Sequence, residues 1–135
     1  MSLNVSVLVP DRIFWKKEIS EIIMPTLSGQ MGVLTNHVPV LTGLDTGILS
    51  VRLKNDSKWE SIVVMGGFAL VKNNVITVLV NEAELSSDID AENAETSFLQ
   101  AKSNLEISSD KKKKLEAINQ FKKAKARFQI ISQSK

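Results

Sequence analysis

The spacing of apolar residues changes once along this chain, near Asn81, and that change constrains the fold more than any other feature. Before it, apolar residues fall in short runs, often at alternate positions, with turn-forming residues between the runs. Runs at intervals of roughly 8 to 12 residues are typical of a β-sandwich or barrel. After it, apolar residues recur with a period near 3.6, which predicts helices.

Short apolar runs predict at least six strand segments in the first part of the chain. They are Leu3–Val9, Glu18–Met24, Gly29–Leu34, Ile48–Leu53, Trp59–Val71 and Val75–Val80. Asn73 and Asn74 stand between the last two, and asparagine tolerates the positive φ of a tight hairpin turn. Glycines stand in pairs at 29 and 32 and at 66 and 67. Their spacing matches neither Gly-x-x-x-x-Gly-Lys-Ser/Thr nor Gly-x-Gly-x-x-Gly, the two phosphate-binding motifs, so they predict bends in strands.

Two helices are predicted after Asn81, with Asp88 or Asp90 capping the first. Its apolar face is made of Ala91, Ala94, Phe98, Ala101 and Leu105. Ser108, Ser109 and Asp110 are good starters for a second helix. The stripe of that helix is made of Leu115, Ile118, Phe121, Ala124, Phe128 and Ile131. The pair predicts an antiparallel hairpin that buries little apolar area and is loosely held.

The fold class is therefore α+β: an N-terminal antiparallel β-sandwich at residues 1–86, then a C-terminal antiparallel two-helix hairpin at residues 87–135. No apolar run approaches the roughly 20 residues of a membrane span. The first residues alternate like a strand and lack the layout of a secretory signal.

Positive charge is concentrated at the C-terminus. Residues 1–110 hold 8 Lys and Arg against 14 Asp and Glu, whereas residues 111–135 hold 9 basic residues and one acidic residue, Glu116. Such asymmetry predicts an acidic partner for the C-terminal segment: nucleic acid, anionic lipid or an acidic protein surface.

Catalytic chemistry has few candidate groups. The chain has no cysteine, no tyrosine and one histidine, His37. A lone histidine identifies neither a nucleophile nor an orienting carboxylate. We therefore expect no catalytic, metal or cofactor-binding residues, and a small hydrolase is an alternative that only hydrolysis by the purified chain would revive.

Four segments resemble one known family. The first is Ser28–Pro39, which reads Ser-Gly-Gln-Met-Gly-Val-Leu-Thr-Asn-His-Val-Pro. The other three are Met65–Ala69, Asn73–Asn81 and Ser87–Asp90. In this order they resemble the ε subunit of the rotary F-type ATP synthase, in its chloroplast and cyanobacterial version. The resemblance runs from residue 1 to about 131.

The resemblance implies a sandwich of about ten strands that clamps the γ subunit to the c ring, and a hairpin that restrains ATP hydrolysis. It also implies a c-ring-facing loop. The residues of that loop are Gln30, Met31, Asn36 and His37. For His37 the alternative is a structural role, hydrogen-bonded to nearby backbone.

A basic face on the second helix is assigned by the resemblance to transient docking on an acidic segment of the catalytic β subunit. Its residues are Lys122, Lys123, Lys125 and Arg127. The alternative is a solvated helix face. Hairpin packing is assigned to Phe98, Leu105, Leu115, Ile118, Phe121 and Phe128.

Nucleotide and nucleic acid are weaker alternatives. Some family members bind ATP through an arginine where this chain has Asn93, and through two arginines where it has Lys123 and Arg127; losing guanidinium groups weakens phosphate recognition. A nucleic-acid module would interleave aromatic residues with the charges, but Phe121 and Phe128 lie on the apolar stripe. The expected location is peripheral on an energy-coupling membrane, reached only through the complex: the stromal side of the chloroplast thylakoid, otherwise a cyanobacterial thylakoid or plasma membrane.

Overall fold

The computed structural model describes residues 2–54, 58–107 and 110–133. Within them, seven strands come first: β1 (Leu3–Val9), β2 (Arg12–Thr26), β3 (Gly29–Val33), β4 (Val40–Leu44), β5 (Gly47–Leu53), β6 (Trp59–Lys72) and β7 (Val75–Leu85). A 3-10 turn at Ser86–Asp88 leads to the helices α1 (Ala91–Ile107) and α2 (Lys111–Gln133). The predicted fold class, a β-sandwich followed by a helix pair, is confirmed.

The described residues form seven strands, where about ten were expected. The difference arises because three long strands, β2, β6 and β7, each contribute to both sheets of the sandwich. β2 pairs with β1 in its first half and with β3 and β5 in its second half. β6 pairs first with β5 and then with β4, and β7 follows β6 through both halves. Counting each half separately gives ten.

One pairing departs from the antiparallel expectation. β1 runs parallel to β7, from Asn4 opposite Val75 to Leu8 opposite Leu79, while it runs antiparallel to β2. The first strand thus lies between its hairpin partner and the last strand, which closes that sheet with main-chain hydrogen bonds on both sides of β1.

The strands form the two sheets of the sandwich. The helix-facing sheet contains β3, the second half of β2, β5, the first half of β6 and the second half of β7. The open sheet contains β4, the second half of β6, the first half of β7, β1 and the first half of β2. Buried aliphatic side chains between them form the core; the largest fully buried ones include Leu3, Ile19, Ile22, Met24, Leu49, Ile62 and Ile76.

Gly66 and Gly67 mark the bend where β6 passes between the sheets, as the sequence predicts. Their φ angles are +58° and +142°. A Cβ atom on Gly67 would lie 1.9 Å from the carbonyl oxygen of Leu79. Only glycine allows this close approach of two backbones.

Both helices begin at the aspartates that the sequence singles out. The Asp90 carboxylate accepts hydrogen bonds from the backbone N–H groups of Glu92 and Asn93, at 3.0 and 3.3 Å. Asp110 accepts one from Lys112 at 3.3 Å. Ser108 and Ser109 lie outside the described residues. These caps satisfy amides that have no partner within the helix.

α2 packs on the outer side of β5 and β6 and carries α1 on its other side. Its contact with the sandwich is a small apolar cluster, separate from the main core. The buried members are Val63, Ile89, Ala94, Ala126 and Ile130, with Ile48, Met65 and Ile131 partly buried against them. The hairpin is therefore attached through few large side chains, in line with the predicted loose attachment.

Candidate functional site

The loop between β3 and β4 lies against the turn between β6 and β7. The backbone N–H of Asn36 donates to the side-chain oxygen of Asn74 at 2.6 Å, and the side-chain NH₂ of Asn74 reaches the side-chain oxygen of Asn36 at 3.4 Å. Asn36, Asn73 and Asn74 all have positive φ, at 65°, 52° and 63°. The predicted hairpin turn at residues 73 and 74 is present.

The His37 ring makes one hydrogen bond, to the backbone of the next residue. Its Nδ1 atom lies 2.7 Å from the carbonyl oxygen of Val38. A carbonyl oxygen only accepts, so Nδ1 carries the proton and, in the neutral ring, Nε2 is an acceptor. Among the described residues no group contacts Nε2. The backbone hydrogen bond of the structural alternative is thus present, and one ring nitrogen stays available to a partner.

Gln30 and Met31 do not lie beside His37. Gln30 is opposite Pro25, next to the β2–β3 turn, whereas Asn36 and His37 follow the other end of β3. At about 3.3 Å per residue, the strand extends roughly 10 Å from Gln30 to its other end at Val33. The predicted single loop is therefore two surfaces at opposite ends of β3.

Met31 is a correction to the predicted loop surface. Its side chain is half-buried and packs against the sandwich core, while Gln30 and Gly32 on either side are exposed. Alternate residues of a strand point to opposite faces, so Gln30 and Met31 cannot both face a partner on one side.

Three cations of the predicted basic face are paired with carboxylates of the sandwich. Lys122 Nζ lies 3.1 Å from Asp45 Oδ2, and Lys123 Nζ lies 3.0 Å from Glu82 Oε2. Arg127 Nε lies 3.3 Å from Glu84 Oε2. These six side chains form what we call the helix–sandwich ion pairs.

Lys125 is the fourth residue of that face. It is exposed and has no carboxylate partner in the described part of the chain. The basic face is thus neither wholly solvated nor wholly free, because in this arrangement three of its four cations are paired with carboxylates of the sandwich. The alternating carboxylates of β7 carry that signal in the sequence, although nothing there assigns them to α2.

The hairpin is held together by three aromatic rings. The Phe98 ring on α1 lies 5.6 Å from that of Phe121 and 5.1 Å from that of Phe128, stacked on the latter with 13° between the planes. Alanines between the helices are buried, Ala101, Ala117 and Ala124 among them. Small residues allow the close approach that the sequence predicts.

Leu115 is a correction to the predicted hairpin packing. It is 58% exposed, whereas Leu105 and Ile118 are half-buried. The single predicted stripe on α2 is in fact two buried faces, one toward α1 and one toward the sandwich. Ala126 and Ile130 form the second face, and the stripe predicted from the helical period did not include them.

The outer side of the open sheet carries exposed apolar side chains. They are Leu41 on β4, Phe68 and Leu70 on β6, and Val75 and Leu79 on β7, each between 45% and 68% exposed. Phe68 is paired with Leu79, and Leu41 with Leu70, so they form one continuous surface, which we call the open apolar face. A groove at its edge is lined by Leu8, Arg12, Ile13, Phe68 and Leu79.

Sequence reasoning missed the open apolar face, although a signal was present. An antiparallel sheet with one face in water alternates apolar and polar residues. β7 instead begins Val-Ile-Thr-Val-Leu-Val, which is apolar at both parities. Such a run is typical of a strand that is covered on both faces.

Comparison with known proteins decides the family. Residues 2–86 match the model of the β-sandwich domain of the ATP synthase delta/epsilon chain, and residues 87–132 match the model of its long α-helix domain. The chain belongs to the ATP synthase delta/epsilon chain family. The resemblance stated from the four sequence motifs is confirmed.

Chloroplastic epsilon chains are among the most similar relatives of this family member. It is 53% identical over 135 residues to the ATP synthase epsilon chain of Euglena gracilis, covering all of both chains. It is 54% identical over 132 residues to that of Tupiella akineta, covering 98% of this chain and 100% of the other. The expected chloroplast type agrees with these relatives.

Solved structures share the fold of this delta/epsilon chain. One is from the Euglena gracilis mitochondrial ATP synthase, described as OSCP/F1/c-ring: TM-score 0.82, 24% identity, covering 93% of this chain and 78% of the other. Another is from the Tetrahymena thermophila mitochondrial ATP synthase, described as central stalk/c-ring: TM-score 0.64, 18% identity, covering 99% and 96%. In the described residues no helix is long and apolar enough to cross a bilayer.

Proposed function

We propose that this chain is a non-catalytic central-stalk subunit of a proton-translocating ATP synthase, which couples the γ subunit to the c ring and restrains ATP hydrolysis through its C-terminal helices. The observation that carries this proposal is the pairing of a rigid sandwich that has an uncovered apolar face with a hairpin attached by ion pairs. The family membership and the central-stalk and c-ring assemblies of the structural neighbours support it.

The open apolar face is the surface that we assign to γ. Its exposed side chains lie on three neighbouring strands, so a partner can bury them without any change in the sandwich. A rotor coupler has to transmit torque, and a hydrogen-bonded sheet deforms less than a loop. We assign contacts with the c ring to the ends of β3, through Gln30 at one end or Asn36 and His37 at the other.

The hairpin is the regulatory element of the proposal. In the arrangement described here Lys122, Lys123 and Arg127 contact the sandwich, so the same cations can bind an acidic segment of the β subunit only after they leave their carboxylates. Restraint of hydrolysis is then an exchange of one acidic partner for another. Exposed ion pairs contribute about 0–1 kcal/mol each, so the exchange is close to balanced.

Nucleotide is not required for this exchange. The alternative nucleotide site needs Lys123 and Arg127, and both are paired with carboxylates in this arrangement. We propose no cofactor, no metal and no nucleic-acid partner, and attachment to the stromal side of the thylakoid membrane only through the complex.

Neutralising either the carboxylates of the sandwich or a cation of α2 tests the exchange. In an ATP synthase depleted of its own epsilon chain, Glu82→Gln with Glu84→Gln removes the sandwich partners of Lys123 and Arg127 and keeps the cations, so inhibition of hydrolysis should strengthen. Lys125→Gln leaves the ion pairs intact and removes one cation of the docking face, so inhibition should weaken. Glu60→Gln is the matched control, because Glu60 pairs with Lys17 within the sandwich.

The direction of the two effects decides the outcome. Weaker inhibition by the Glu82 and Glu84 variant, with the chain still bound to the complex, contradicts the exchange. Failure of the unmodified chain to bind the depleted complex contradicts the proposed function as a whole.

A further inference from the structure

We propose that Asn74 is a positioning residue: from the β6–β7 turn it holds the Asn36–His37 loop so that the Nε2 atom of His37 is presented to the partner as a hydrogen-bond acceptor. The inference rests on the proposed function, in which this loop contacts the c ring. It adds a residue outside the loop and the chemical class of the group that the loop binds.

Asn74 is fixed at its backbone before it acts on the loop. Its carbonyl oxygen accepts a hydrogen bond at 3.0 Å from the backbone N–H of Asn4 on β1. Its φ of 63° belongs to the left-handed region, which asparagine tolerates better than most residues. The turn is thereby attached to the open sheet on two sides, through β7 and through β1.

The side chain of Asn74 then fixes Asn36. The 2.6 Å hydrogen bond from the backbone N–H of Asn36 is joined by the 3.4 Å contact between the two side-chain amides. Asn36 itself has a φ of 65°, in the same left-handed region. The Asn74 side chain contacts it from 38 residues away in sequence.

The conformation of Asn36 sets the position of His37, which is next in the chain. With Nδ1 donating to Val38, the neutral ring offers only Nε2, and Nε2 accepts. Leu34, three residues before His37, and Val38, the next residue, are 55% and 71% exposed. The complementary partner surface is therefore apolar with one hydrogen-bond donor, such as an amide, a hydroxyl or a cationic side chain.

A matched pair of glycine variants tests the positioning role. Asn74→Gly and Asn73→Gly both keep a residue that accepts positive φ, but only the first removes a side chain bonded to the loop. We expect Asn74→Gly to speed amide exchange at Asn36 and to weaken binding to a γ–c-ring assembly by about three- to tenfold, the loss expected for one hydrogen bond. Asn73→Gly should change neither, and the thermal midpoints of the two variants should agree.

A double-mutant cycle with His37→Ala shows whether Asn74 acts through the histidine. We expect Asn74→Gly to have no further effect on binding once His37 is alanine. Additive losses overturn the positioning role, as does unchanged binding by Asn74→Gly. If the unmodified chain binds but His37→Ala binds equally well, the assignment of the loop fails; if the unmodified chain does not bind at all, the proposed function fails.

Discussion

Arg127 on α2 and Glu84 on β7 form the least exposed ion pair between the hairpin and the sandwich. Their side chains are 20% and 27% exposed, and the Nε–Oε2 distance is 3.3 Å. The buried Nε atom has no aligned hydrogen-bond partner among the described groups, so the attraction is mainly electrostatic. The ion pair lies next to the apolar cluster around Ala126 and Ile130, where water is partly excluded and the attraction between opposite charges is stronger.

Removing this pair should loosen α2 without unfolding the sandwich. Arg127→Gln or Glu84→Gln should speed proteolysis and amide exchange within residues 111–133, and should reduce the effect of added salt on both. Lys17→Gln is the control, since Lys17 and Glu60 both belong to the sandwich. Equal protection of α2 in all three variants contradicts the role of the pair.

Deleting residues 88–135 should leave a folded sandwich. The main core cluster lies entirely within residues 3–85, so the deletion removes only the smaller cluster beneath α2. We expect a cooperative thermal transition and retained binding to γ, with hydrolysis less inhibited. A truncated chain that cannot join the complex would count against a detachable regulatory hairpin.

Phe98→Ala should destabilise the hairpin more than Phe121→Ala, because the Phe98 ring contacts two rings. We expect a cost of about 1–4 kcal/mol, below that of a fully buried phenylalanine. Leu115→Ala should be nearly neutral, because Leu115 is mostly exposed. Amide exchange over residues 91–133 measures all three, and a large effect of Leu115→Ala would show that another arrangement dominates.

Gly67→Ala should be the most damaging glycine substitution in the sandwich. Its Cβ would meet a backbone oxygen, which cannot move aside as a flexible side chain can. Gly66→Ala should cost only about 1–2 kcal/mol, the price of a left-handed alanine. Gly32→Ala is the control, because its Cβ would meet nothing within 4 Å. Denaturant unfolding ranks the three, and an unaffected Gly67→Ala would refute the close approach.

Phe68→Asp should weaken γ binding at least tenfold while leaving the stability of the isolated chain nearly unchanged, because Phe68 is 59% exposed on the open apolar face. Leu99→Asp is a matched control, since Leu99 is also 59% exposed but lies on α1. Binding titrations with γ distinguish them. Equal losses at both positions would remove the assignment of this face.

Local sequence patterns predicted most of the elements, because these patterns depend on interactions between residues that are close together in the sequence. The alternation around Val5 and Val7, the change to a helical period after Asn81, and the caps at Asp90 and Asp110 depend on neighbours within a few residues. Asn73 and Asn74 predicted their turn for the same reason. Four short motifs in order sufficed to indicate the family.

Contacts between distant segments required the tertiary structure. The sequence does not show that Glu82 and Glu84 pair with cations of α2. It also does not show that Asn74 contacts Asn36, or that β3 separates Gln30 from His37. Each depends on how strands are ordered and bent, which involves backbone pairings tens of residues apart. The side-chain pattern alone indicated both helices and most of the strands, but not β4 or the first half of β2, whereas packing decided which charges meet and which apolar face is left uncovered.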